Sequence, residues 1–185
     1  GGCVAALSGA LGAALGTMVA NLSTSKAGFE DKKEKLAEIS KKGQFTKDEL
    51  VKAIDDDTTA FDKVIKAMRM PKDTEKEKET RENEMQKGYQ SATLVPLKTV
   101  EDCRNALQIC LDISDIMDEG MASDVGSGAL MANAGAISAA YNVRINLKSI
   151  TDKKFSNNTE KKLAELLSDC EELLKKISKN VEECL

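Results

Sequence analysis

A chain of 185 residues with 41% hydrophobic and 31% charged side chains is long enough for one apolar core and too short for two, so residues 1–185 are read as a single domain. A net charge of -4 and 3% aromatic content exclude a basic, base-stacking nucleic-acid surface. The chain has no histidine, the commonest general base and metal ligand, so proton transfer falls to carboxylates, lysines, tyrosines or cysteines. No metal site and no bound cofactor are expected.

The uncharged stretch Gly1–Ser25 comes first, with a helix predicted over about Val4–Leu22. Ser8, Gly12, Gly16 and Ala20 recur every four positions and form a smooth stripe against which another helix can pack closely. The stretch has the length of a membrane span, but Gly, Ser, Thr and Asn dilute it and it lacks a basic start, so a buried helix of a soluble protein is expected. A phosphate loop over Gly9–Gly16 is disfavoured by the missing lysine and strand.

Ala27–Lys42 reads as a short charged helix with Leu36 and Ile39 inward, and Thr46-Lys47-Asp48-Glu49 as the capping box of the next. That next helix carries Leu50, Ile54, Phe61, Val64, Ile65 and Met68 on one face, with Asp57 among them, and ends before Pro71. Thr74-x-x-Glu77 opens a polar helix to about Ser91, with Glu77 and Arg81 spaced as an i,i+4 pair. Val95-Pro96-Leu97 reads as a break, Pro96 suiting a first helical position. The following helix puts Val100, Cys103, Leu107, Cys110, Leu111 and Met117 inward and ends near Gly120.

Ser123-Asp124 then reads as the cap of a second uncharged helix, Val125–Val143, with Gly128, Ala132, Ala136 and Ala140 every fourth residue. The two small-residue helices pack on each other or across a dimer axis. Thr159 is expected to cap a last helix with Leu163, Leu166, Cys170, Leu173, Ile177, Val181 and Cys184 at coiled-coil-like spacing. The sum is an all-α, antiparallel bundle of about seven helices. The five cysteines, odd in number and without C-x-x-C spacing, suggest neither zinc site nor disulfide framework. Cys103, Cys110 and Cys170 fall at core positions, as in a reducing cytoplasm.

Asp57 is the chemical oddity. A carboxylate on an apolar helix face is costly unless paired or shifted in pKa, so it is either a buried ion pair or a tuned general acid–base. Asn142, Arg144 and Asn146 form a polar group after the second uncharged helix. Arg144 fits an ion pair with Asp57 or Asp124, or an anchor for a ligand carboxylate.

Several ordered segments resemble the cyclodeaminase family of folate one-carbon enzymes. They are Gly1-Gly2-x-Val4-Ala5-Ala6 with Gly12-Ala13-Ala14-Leu15-Gly16, Asp57-x-x-Ala60-Phe61, and Ala67-Met68-Arg69-Met70-Pro71-Lys72. Val95-Pro96-Leu97, Ser123-Asp124, Asn142-Val143-Arg144-Ile145-Asn146-Leu147 and Ile150-Thr151-Asp152 complete the set over residues 1–155. The family is similar to this chain in order and spacing, with Cys3 where serine is usual. Relatives usually begin with a further helix and a Pro-Gly-Gly-Gly-Ser turn, inside which this sequence starts, so either the chain is truncated or the folate site is built differently.

The resemblance implies a cytoplasmic, all-helical homodimer binding a reduced folate, possibly polyglutamylated, with the essential aspartate at Asp57. It implies that the Gly-rich start, with Gly2, and the polar segment of Asn142, Arg144 and Asn146 lie near the substrate. Lys72, Ser123 and Asp124 are further candidate contacts, with Arg144 or Lys72 holding the folate's glutamate tail or orienting the carboxylate. The expected reaction closes 5-formiminotetrahydrofolate to 5,10-methenyltetrahydrofolate with loss of ammonia. The alternatives are methenyltetrahydrofolate cyclohydrolase and a non-catalytic helical module. Neither nucleic acid nor a membrane is expected as a partner.

Overall fold

Five α-helices carry the chain in a computed structural model that describes residues 1–185: α1 (Gly2–Thr24), α2 (Lys33–Met68), α3 (Glu75–Ser114), α4 (Ala122–Leu147) and α5 (Lys153–Glu182). Two single 3₁₀ turns, Glu30–Lys32 and Glu119–Met121, lead into α2 and α4, and there is no strand. The all-α expectation holds. The count falls from seven to five because two expected breaks are absent.

The first absent break is at Thr46, which is buried in the middle of α2 and caps nothing. Gly43, just before it, does not stop the helix. A Cβ there would overlap the Thr17 hydroxyl of α1, so this glycine lets two helices touch. The second is at Pro96, inside α3. A proline in a helix leaves the carbonyl four residues back without its N–H donor. Here that carbonyl is Ala92, and the Asn146 side-chain amide of α4 donates to it at 2.8 Å. A donor from another helix keeps α3 continuous.

Three further local expectations are also corrected. Asp152, not Thr159, caps α5, its carboxylate accepting the Phe155 N–H at 3.0 Å, while Thr159 is buried within the helix. Ser123 and Asp124 lie in the first turn of α4 without capping it; Asp124 is placed to favour the positive end of the helix dipole. Arg81 reaches back to the Met68 carbonyl at 3.1 Å instead of pairing with Glu77. Glu77 is engaged in the capping box with Thr74, which forms as expected. Its carboxyl is held below the usual range, first by the Thr74 backbone N–H.

Neighbours along the chain run antiparallel. The start of α1 meets the second half of α2 at Asp57, and the end of α1 meets the start of α2 where Ser40 donates to Asn21 at 2.6 Å. Gly12 of α1 lies on Gly128 and Ala132 of α4, and Gly135 of α4 lies on Ala5 and Gly9 of α1, so these helices are antiparallel too. The two small-residue stripes therefore pack on each other. A Cβ at Gly12 would come within 2.6 Å of the Gly128 carbonyl oxygen, and one at Gly135 within 2.7 Å of the Ala5 carbonyl oxygen. Ser8 ties the same seam, donating to the Met131 carbonyl at 2.7 Å.

A core of 30 buried residues draws on all five helices. By length and composition α1 could cross a membrane, but 61% of its apolar window is buried inside this bundle. Cys103, Cys110 and Cys170 belong to the core. Burial pushes the Cys110 thiol up to about 12, the Cys170 thiol up to about 11, and that of Cys103 upward as well, which keeps all three as inert thiols. Beyond Gly2, α2 and α3 continue as an antiparallel arm with only a small apolar cluster, Ala60, Val64 and Ala92. Gln86 of the arm clamps the α4–α5 connection, donating to the Ser149 carbonyl and accepting from Thr151 N–H, both at 3.0 Å.

Replacing Gly12 by alanine should lower the unfolding free energy by about 1–3 kcal/mol in urea titration, because backbone, not a flexible side chain, occupies the space. Asn146→Ala should cost about 1–3 kcal/mol in the same measurement, since it leaves the Ala92 carbonyl without a donor.

Candidate active site

Asp57 does not sit on a fully buried face. It is half-buried, and Phe61, one turn on, is 60% exposed. The residues of α2 that turn inward around it are the small ones, Ala53, Ala60 and Ala67, with Leu50 and Val64. Large apolar residues such as Phe61 and Val51 lie on the outer flank instead.

What faces Asp57 is the first turn of α1. A Cβ at Gly2 would overlap all three carboxylate atoms of Asp57, so only glycine admits the carboxylate there. Helix starts carry free backbone N–H groups and the positive end of the dipole, and α1 has no acidic residue of its own in its first turn. Asp57 supplies that negative charge from the neighbouring helix. Cys3 completes the contact, its thiol donating toward Asp57 Oδ2 at 3.3 Å, with the Ile54 carbonyl at 3.5 Å and the Thr58 hydroxyl at 3.7 Å. None of the ten ion pairs of the chain includes Asp57.

Asn142 borders the same shelf. Its amide lies against Gly1, where a Cβ would come 3.0 Å from Oδ1, and its Nδ2 donates to the Ser138 carbonyl at 2.8 Å. Gly2, Asp57 and Asn142 are thus brought together. Asn146 lies one turn further along α4 on the same side, with its amide engaged by Ala92. Arg144 is two residues from Asn142, about 200° around the helix, and faces α5. There it pairs with Glu160 at 3.1 Å on an exposed surface, and with neither Asp57 nor Asp124.

Lys72 is exposed in the α2–α3 connection, beyond the end of α2, about three turns past Asp57. Ser123 and Asp124 begin α4, roughly 28 Å of helix away from Asn142 at 1.5 Å per residue. Within one chain these three residues do not share the Asp57 shelf. The larger grooves lie elsewhere too: one of about 460 Å³ between α2 and α3 is lined by Lys63, Lys66 and Lys87. The shelf is open, and no group of three or more Cys, Asp or Glu side chains is arranged there or elsewhere to ligate a metal.

Two residues around α1, α2 and α3 escaped the sequence reading. Cys3 looked like a variant position, and nothing in local sequence says that its thiol meets a carboxylate 54 residues on. Asp102 is 3% exposed, a more deeply buried carboxylate than Asp57, and is ion-paired with Lys98 one turn earlier. Burial pushes the Asp102 carboxyl above the usual carboxylate range, with Lys98 opposing. It lines a separate groove of about 240 Å³ with Glu49, Asp56 and Leu94. The helical phase, between inward Thr99 and Cys103, was the available signal.

The comparisons with known proteins converge. A profile of the formiminotransferase-cyclodeaminase family matches residues 1–165. The methenyltetrahydrofolate cyclohydrolase of Methylorubrum extorquens is 35% identical over 181 residues, covering 98% of this chain and 87% of that protein. The formimidoyltransferase-cyclodeaminase of Gallus gallus is 36% identical over 172 residues, covering 93% of this chain but 32% of that longer protein. Among solved structures, the formiminotetrahydrofolate cyclodeaminase of Thermotoga maritima superposes with a TM-score of 0.89 at 27% identity, over 98% of this chain and 87% of that one. This chain belongs to the formiminotransferase-cyclodeaminase family.

Proposed function

We propose that this chain is a folate one-carbon enzyme and that its reaction is the cyclodeaminase one, closing 5-formiminotetrahydrofolate to 5,10-methenyltetrahydrofolate with release of ammonia. The observation that carries the reading is the placement of Asp57: a carboxylate on an open shelf, pressed against a helix start and free of any counter-cation. Support comes also from relatives bearing cyclodeaminase names and from the length-matched Thermotoga structure.

In the reaction, N10 attacks the formimino carbon and forms the new C–N bond. The adduct then expels its amino group, so a proton leaves N10 and another reaches the departing nitrogen. Asp57 is the group assigned to that transfer, in a chain with no histidine. Asn142 and the Gly2 backbone border Asp57, and to them we assign the folate contacts beside it. Any hold of Lys72, Ser123, Asp124 or Arg144 on this substrate requires either an extended folate tail or a second chain.

A second reading, methenyltetrahydrofolate cyclohydrolase, is favoured by the Methylorubrum relative, which matches nearly end to end. There water adds to the methenyl carbon, the C–N5 bond breaks, and the 10-formyl compound forms. We assign the homodimer to the exposed apolar stripe running along α1 and α4, through Val4, Leu7, Leu11, Leu130, Tyr141 and Ile145. It is built on the chain's two uncharged helical stretches, and Val4 and Tyr141 adjoin Cys3 and Asn142, so a second copy would wall the open shelf. A cytoplasmic setting suits a chain with five free cysteines.

Asp57→Asn should lose turnover by about 10²–10⁴-fold while keeping folate binding in calorimetry. The near-ultraviolet absorbance of the methenyl compound reads both reactions: appearance from the formimino substrate supports deamination, whereas only its consumption supports the hydrolase. Full activity in Asp57→Asn would remove the assignment. Leu11→Lys should turn a dimer into a monomer in light scattering; an unchanged mass would place the interface elsewhere.

A further inference from the structure

We infer that Cys3 is a positioning residue for Asp57: its thiol holds the carboxylate in one orientation. The inference rests on the reading of Asp57 as the proton-transfer group.

Three contacts define the arrangement. Gly2 leaves room for the Asp57 carboxylate against the α1 backbone, and Oδ1 is the atom nearest to where a Gly2 Cβ would stand. On the other oxygen, Oδ2, the approaching group is the Cys3 thiol at 3.3 Å. The thiol has two further acceptors in reach, the Ile54 carbonyl at 3.5 Å and the Thr58 hydroxyl at 3.7 Å, both on the same turn of α2 as Asp57. Cys3 therefore meets α2 at the turn that carries the carboxylate, and Asp57 Oδ2 is the nearest of its acceptors. It is half-buried, unlike the three core cysteines, and no disulfide claims it.

The chemistry of the donor matters. A thiol is a weak hydrogen-bond donor, much weaker than a hydroxyl. It restrains a carboxylate without stabilising its charge strongly, which suits a group that must both take and release a proton. The charged surroundings add little: no cation pairs with Asp57, and Arg144 of α4 is turned to Glu160. Asp55 and Asp56, on its own helix, are exposed and point away by helical phase. From α1 the facing groups are Gly2 and Cys3, and from α4 the nearest polar side chain is the uncharged Asn142, which lies on Gly1. The thiol is the one side-chain donor that Asp57 has.

Cys3→Ser supplies a stronger donor and Cys3→Ala removes it. Losing the donor in Cys3→Ala should lower kcat several-fold with KM little changed, and Cys3→Ser, which keeps a donor, should retain the parent kcat. A kcat unchanged in Cys3→Ala, or lost equally in Cys3→Ser, would overturn the inference.

A second readout needs no turnover. In the infrared spectrum the S–H stretching band that disappears in Cys3→Ala belongs to Cys3, and Asp57→Asn should shift it. A Cys3 band unmoved by Asp57→Asn would overturn the contact even if Cys3→Ala folds poorly. The two readings fail separately. Full turnover in Asp57→Asn would remove Asp57 from catalysis, whereas an inactive Asp57→Asn with an unchanged kcat in Cys3→Ala and an unmoved band would remove only Cys3.

Discussion

The close approach of α1 to α4 is the constraint on which the rest of this bundle depends. Backbone meets backbone at Gly12 and Gly135, with no side chain between. At such a distance, dispersion contacts are dense and each helix fixes the axial position of the other, since a shift of one residue would drive a Cβ into a carbonyl. That register sets where Gly2 and Asn142 fall. The same glycine logic repeats on the other flanks of α1, where Gly9 lies under Cys103 and Gly16 under Ile109 and Cys110. With α1 held on three sides, its first turn becomes a rigid platform for Asp57.

Much of this was legible in the sequence because it is periodic. The small-residue stripes, the apolar rows of α3 and α5, and the inward cysteines all follow from helical spacing, and the structure buries them accordingly. The Thr74–Glu77 box was legible because its donors and acceptors are three residues apart. Illegible were the places where a distant residue overrides a local rule. Pro96 should end a helix, and would, without an amide 50 residues later in the chain. Gly43 and Thr46 look like a stop and a start, yet the glycine answers to Thr17.

The site shows the same division. Asp57 stands out in the sequence, but for a reason that the structure modifies: it is half-buried at the margin of an apolar face, not within it. Asn142, Arg144 and Asn146 look like one polar group, and helical phase divides them among three tasks. Asn142 borders the shelf, Arg144 anchors α5 through Glu160, and Asn146 repairs α3. The Val95-Pro96-Leu97 and Asn142–Leu147 segments, which carry part of the family resemblance, are therefore joined by a backbone repair. A resemblance concentrated near a site records the support of that site as well as its chemistry.

The seam between α1 and α4 also orders events during synthesis. Ser8 and the Met131 carbonyl it binds are 123 residues apart, so α1 packs on α2 well before its contact with α4 can form. Until then the face that α1 turns to α4, through Ala5, Gly9 and Gly12, stays open beside the amphipathic α2. Such long-range closure slows folding, and exposed apolar surface in the interval favours association with other chains. Closure of the bundle and burial of the α4-facing side of α1 are a single late step.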